Sequence, residues 1–100
     1  MYTYTTPTIT CKLTGLEFSQ VELVRIAIKG RTAKLIKILT PSDFDIETGE
    51  TAILLTQEET AALGQGQIEI QGRIKYQDGT VQPTNKIKKT MNDVLDKVVI

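Results

Sequence analysis

Histidine and tryptophan are missing from this chain, cysteine occurs once, and the only serines are Ser19 and Ser42. Each absence removes a class of chemistry. Acyl transfer by a serine or cysteine nucleophile needs a base to take the proton, and without imidazole neither serine has one. Neither lies in a nucleophile-elbow pattern. Cys11, flanked by Thr10 and Lys12, cannot form an intramolecular disulfide, so the fold rests on burial, and the thiol reads as a small buried apolar group. Gly64-Gln65-Gly66 precedes a strand, whereas a phosphate cradle needs its glycines to open a helix. No catalytic, cofactor-binding or metal-binding residues are assigned, and a non-enzymatic protein is expected.

Charge of one sign is lacking too. The 12 Lys and Arg balance 12 Asp and Glu, which removes the usual electrostatic case for a dedicated binder of nucleic acid or anionic membrane. No run approaches the roughly 18 apolar residues of a membrane span. The opening MYTYTTPTIT has neither the basic nor the apolar region of a signal peptide, so a cytoplasmic start is expected, with protein as the partner. The charges are nevertheless segregated. Lys29, Arg31, Lys34 and Lys37 form a basic block; Asp43, Asp45, Glu47, Glu50, Glu58 and Glu59 an acidic one; Arg73 through Lys89 a second basic one. Opposed poles in a neutral molecule suit self-association or ordered stacking on copies of itself; the alternative reading is solubility alone.

Two of these clusters invite other readings. Asp43, Asp45, Glu47 and Glu50 are oxygen ligands spaced as in a calcium loop, but glycine and glutamate do not fall at its sixth and twelfth positions. They read as the wet face of a hairpin. Lys86, Lys88 and Lys89, with Arg73 and Lys75, make a basic strip with few aromatic partners for bases, which reads as edge protection.

What is present is a β pattern. From Gln67 to Gln77, Ile68, Ile70, Gly72, Ile74 and Tyr76 alternate with polar residues, the period of a strand with one dry face. Asp78-Gly79 then predicts a type I′ turn with positive φ at both centres, folding Thr80–Thr90 back as one antiparallel partner. Upstream, strands are expected over Thr8–Leu13, Val21–Lys29, Thr32–Leu39, Asp43–Ile46 and Glu50–Thr56. Leu16 and Phe18 are expected to plug the core, Val24, Ile26 and Ile28 to share one face, and Phe44 and Ile46 to point inward. Thr56-Gln57-Glu58-Glu59 is a capping box opening a helical turn at 56–63, stopped by Gly64 and Gly66. Gly72 inside the longest strand hints at a bulge or a close backbone approach.

About seven short strands with turn residues between them imply an all-β fold, an immunoglobulin-like antiparallel sandwich, with a small barrel as the alternative. A single domain is expected over 7–100, preceded by an N-terminal arm at 1–6 that is Thr/Tyr-rich and bounded by Pro7. Met91–Ile100 reads either as a helical turn capped by Asn92 or Asp93 or as a strand from Lys97. The arm has the composition to add to a neighbour's sheet, and the closing segment is more apolar than a free end should be. Tyr2, Tyr4, Val98, Val99 and Ile100 are therefore the candidate interface residues.

The run LLTQEETAALGQGQIEIQGRIKYQDGT, followed by a basic strand and a terminal DVLDKVVI, resembles a group of small β-sandwich proteins. These are encoded among virion genes of tailed phages and prophages of Gram-positive gut bacteria. There too L-T-Q-E-E-T leads to a V-E-I-Q-x-R strand, a D-G turn and a short closing segment. The likeness covers roughly the C-terminal half. It implies a structural role in capsid, neck or tail, no cofactor, other virion proteins or copies of itself as partners, and residence in the virion or the host bacterial cytoplasm. The alternatives are a cytoplasmic immunoglobulin-like protein-binding module and a small nucleic-acid-binding barrel.

Overall fold

A computed structural model describes all residues, Met1–Ile100. The chain forms β1 (Thr8–Lys12), β2 (Val21–Lys29), β3 (Lys34–Leu39), β4 (Glu50–Leu54), α1 (Gln57–Leu63), β5 (Gly66–Tyr76), β6 (Val81–Pro83) and β7 (Ile87–Met91). Strands β1 and β4 make a two-stranded antiparallel ribbon. The other five form one sheet in the order β3-β2-β5, with β6 and β7 sharing the far edge of β5. Ribbon and sheet stack as an all-β sandwich, and neither closes on itself, so the barrel alternative falls. The order β3-β2-β5-β7 corresponds to the C′-C-F-G sheet of an immunoglobulin-like sandwich, with β1 and β4 in the places of B and E. No helix is long and apolar enough to cross a membrane.

The core lies between the two layers. Val24, Ile26 and Ile28 of β2 and Ile68, Ile70 and Ile74 of β5 are buried against Ile9, Ile53, Leu55, Leu63 and Met91. Phe18 and Phe44 close one end, with ring centroids 5.2 Å apart, and Leu16 packs beside them. Tyr76, expected inside, is only partly buried. Helix α1 carries the chain from the ribbon to the sheet. The Thr56 hydroxyl accepts the Glu59 N–H at 3.1 Å, and a Glu59 carboxylate oxygen accepts the Thr56 N–H at 3.0 Å. This is the reciprocal capping box the sequence predicts.

Three expectations are corrected. Asp43–Ile46 is not a strand. Pro41–Asp43 forms a single 3-10 turn, closed by Asp43 accepting the Thr40 N–H at 2.8 Å. The chain then turns again where the Asp45 carbonyl accepts the Gly49 N–H at 2.6 Å. With no partner strand to enforce alternation, Phe44 goes inward while Ile46 is 73% exposed. Second, the turn after β5 is not type I′. The Tyr76 carbonyl accepts the Gly79 N–H at 2.9 Å, leaving Gln77 and Asp78 as centres. Only Gly79, at φ 89, is left-handed there. Asp78 instead binds forward, accepting from the Thr80 N–H at 2.9 Å and the Thr80 hydroxyl at 2.6 Å, which selects the longer turn with a glycine bulge.

Third, Thr80–Thr90 is not one strand. Arg73 faces Pro83 while Ile70 faces Ile87, so β5 advances three residues where its partner advances four. The extra residue is a bulge around Thr84. Had the β6 register continued, Lys86, Lys88 and Thr90 would face the core. The slip puts Ile87 and Met91 on that side instead; Met91 is fully buried, while Ile87, lining an open groove, stays 48% exposed.

Candidate functional site

The five candidate interface residues sit on two terminal segments, and the structure brings both to α1. The N-terminal segment lies on its own domain instead of standing away from it. The Thr3 N–H donates to the Asn92 carbonyl and the Asn92 N–H to the Met1 carbonyl, each at 2.8 Å, in a parallel bridge of Tyr2 with Asn92. Thr3 is buried, and its hydroxyl donates to Asp93 at 3.2 Å. The Met1 amino group and the Thr3 and Thr5 N–H groups thus find partners within the chain. Pro7 does not prevent this, because the pairing ends before it. Tyr4 takes a left-handed φ of 56, which bends the segment towards α1. There the Thr60 hydroxyl accepts the Thr5 N–H at 3.3 Å and lies 3.0 Å from the Thr5 carbonyl.

The closing segment reaches the same helix from the other side of the chain. The Gln57 carboxamide donates to the Ile100 carbonyl at 2.6 Å and accepts the Ile100 N–H at 2.8 Å. This two-point contact mimics a strand pair and fixes the backbone. Neither a helical turn nor a strand forms after Met91. A bend forms instead, with Lys97 paired to Asp93 at 3.1 Å. The contact holds the main chain at Ile100, and the apolar side chains of the tail lie outside. Leu95 and Ile100 are essentially fully exposed, and Val98 and Val99 are 58% and 45% exposed. Tyr2 is 53% exposed. Both terminal segments are thus tied to α1 by polar contacts and carry exposed apolar side chains.

A second feature was only half visible in the sequence. In the sheet, Arg25 lies directly opposite Arg73 and Lys29 directly opposite Lys34. Both pairs are on the outer face, away from the ribbon, because Val24, Ile26 and Ile28 occupy the inner one. The two basic blocks, separate in sequence, therefore merge. Lys37 does not join them. It pairs across with Ile26 on the inner side and reaches Glu59 of α1 at 2.5 Å. That contact, with the capping bonds from Thr56, holds the Glu59 carboxyl below the usual carboxylate range. Arg25, absent from the sequence-level blocks, was missed; its signal is the cross-strand register, which the sequence does not print.

The remaining candidates are quieter. Cys11 lines an open groove between β1 and the β6–β7 edge, together with Leu13, Leu16, Gly72 and Ile87, and burial pushes its thiol up. Of the carboxylates at 43–50, Asp43 and Asp45 each accept a local backbone N–H, from Thr40 and Glu47, and no three converge. Family models, curated proteins and solved structures yield no match to this chain.

Proposed function

We propose that this chain is a non-enzymatic virion structural or assembly protein of a tailed phage or prophage, working through protein–protein contacts. One observation carries the reading: Ile100 is tied to Gln57 through both its N–H and its carbonyl, while the apolar side chains of Leu95, Val98, Val99 and Ile100 are exposed. A flexible tail could collapse onto its own core, whereas a fixed one keeps its apolar surface available. Covering that surface gains about 25 cal/mol per Å². Tyr2 adds an amphipathic ring of the kind enriched at interfaces. The likeness of Leu54–Thr80 and the closing segment to virion proteins supplies the biological setting.

The test is a Val98→Asp, Val99→Asp variant. It is expected to keep the β spectrum of the parent and to be excluded from particles, and from homo-oligomers measured by light scattering. Retention at parental stoichiometry would place the working surface elsewhere.

A further inference from the structure

The outer face of the sheet carries an arrangement that costs stability unless something answers it. Like charges directly opposite on neighbouring strands repel, yet Arg25–Arg73 and Lys29–Lys34 are such pairs. The ion pairs of the chain are Lys37–Glu59, Lys75–Glu22 and Lys97–Asp93, so none of these four cations is in an ion pair. Lys29 does have Glu69 directly opposite on β5, whereas Arg25 and Arg73 face no carboxylate on either neighbouring strand. Between them lies a shallow depression of about 220 Å³, lined by Arg25, Ala27, Lys34, Ile36, Gln71 and Arg73 and by no carboxylate. Its floor is small and partly apolar. Its rim is cationic.

The same molecule displays the inverse. In the 43–50 loop, Ile46 projects with 73% of its surface exposed, flanked by Asp45 and Glu47. None of the loop's carboxylates is in an ion pair. The loop is preformed. Asp45 accepts the Glu47 N–H at 2.9 Å, and its N–H donates to the Glu50 carbonyl at 2.8 Å. The Gly49 carbonyl accepts the Leu13 N–H at 2.9 Å, which anchors the loop to the end of β1. A rigid loop loses little conformational freedom on docking.

We infer that the 43–50 loop of one copy docks on the Arg25/Arg73 face of a second copy, with Ile46 seated over Ala27 and Ile36 and Asp45 and Glu47 answering Arg25, Arg73 and Lys34. This rests on the assembly reading above and names its contact. A single molecule cannot satisfy itself. The loop is anchored to the ribbon, and the ribbon covers the inner face of the sheet, so the outer face is turned away. Complementary patches on different surfaces make a head-to-tail contact, which builds a ring or a filament instead of a closed two-fold dimer. Zero net charge also favours a second copy over nucleic acid, because approaching phosphates would meet as many carboxylates as cations over the whole molecule.

The experiment uses the full chain in three forms: wild type, Arg25→Glu with Arg73→Glu, and Asp45→Lys with Glu47→Lys. Association is followed by sedimentation at low and high salt, and folding by circular dichroism. Each charge-reversed variant is expected to keep its β spectrum and to self-associate on the order of tenfold to a hundredfold more weakly than wild type. An equimolar mixture of the two is expected to associate again, since the acidic loop of one meets the intact basic face of the other. Ile46→Ser is expected to weaken association without changing its salt dependence. If wild type associates and both variants do so equally well, this contact is wrong while the assembly reading stands. A wild type that stays monomeric at every concentration overturns this contact, and the particle-incorporation test above then decides the assembly reading by itself. Salt-sensitive retention of a DNA duplex by wild type, lost in the face variant and kept in the loop variant without any self-association, would assign the face to nucleic acid instead.

Discussion

The Thr84 hydroxyl accepts the Gly72 N–H at 2.9 Å, and the Thr84 N–H donates to the Gly72 carbonyl at 2.9 Å. One residue thus replaces, partly with its side chain, the strand partner that the bulge takes from Gly72. Thr84→Val keeps the shape and removes the acceptor, leaving a buried N–H unpaired. It is expected to cost about 1–3 kcal/mol, read as a lower urea midpoint with unchanged slope, whereas Thr84→Ser should stay close to the parent.

Gly49 is constrained differently. Its φ is 75, and an added Cβ would lie 2.1 Å from the Leu13 carbonyl oxygen. Gly49→Ala is expected to lose about 1–2 kcal/mol from the left-handed backbone alone, and more because a backbone atom must move. At Gly72 an added Cβ would meet only Thr84 and Ile26 side-chain atoms at 3.4 Å or more, so Gly72→Ala should be nearly neutral. Thermal unfolding of the pair distinguishes a glycine that the backbone requires from one that it does not.

The Lys37–Glu59 contact gives the stability a pH signature. Hydrogen bonding from Lys37, and then from Thr56, lowers the Glu59 pKa in the folded state. A lowered carboxylate contributes stability that is fully present above its unfolded pKa and is lost as pH falls through the folded one. Denaturation midpoints measured from neutral pH down through the acidic range should therefore decline less steeply in Glu59→Gln and in Lys37→Met than in the parent. Thr56→Ala, which removes the reciprocal cap, should cost about 0.5–2 kcal/mol.

Ile70 is buried in the middle of β5, and Lys75 is half-buried beside Glu22 at 3.4 Å. Ile70→Ala is expected to cost about 2–5 kcal/mol, the price of a truncated core side chain. Lys75→Ala should change stability by at most about 1 kcal/mol, as for other surface ion pairs. Equal losses in chemical denaturation would mean that the sheet's two faces are assigned the wrong way round.

Removing Met1–Thr6 tests the place of the N-terminal segment. Its backbone pairs with Asn92, and Thr5 with Thr60 of α1. The truncated chain should therefore be destabilised even as an isolated monomer. A truncation with the parent's unfolding midpoint would show that the segment contributes nothing to its own domain. Tyr2→Ser, which touches only an exposed ring, should leave stability unchanged.

Some of this was legible in the residues alone. The alternation from Gln67 to Gln77 made β5, because period two over so long a run has no helical reading. The capping box at Thr56–Glu59 fixed the start of α1, since both of its bonds are local. Val21–Lys29 was equally clear. Such features are complete within a few residues, so the sequence contains everything that decides them.

Other features depended on partners far along the chain. Asp43-Phe44-Asp45-Ile46 alternates like a strand, but alternation directs a side chain inward only where a neighbouring strand holds the register, and none does here. Ile46 therefore turned outward. Whether Ile87 or Lys86 would face the core hung on one extra residue at Thr84, since a slip of one reverses every side chain. Tyr2, Val98, Val99 and Ile100 were chosen from composition; that their segments meet at α1 follows from Thr60 and Gln57, which nothing near the termini announces. The union of Arg25 with Arg73 and of Lys29 with Lys34 is a fact of cross-strand register alone. Local chemistry settled which segments are strands, turns and caps, and the long-range pairing of those segments decided which charges and which apolar side chains share a surface.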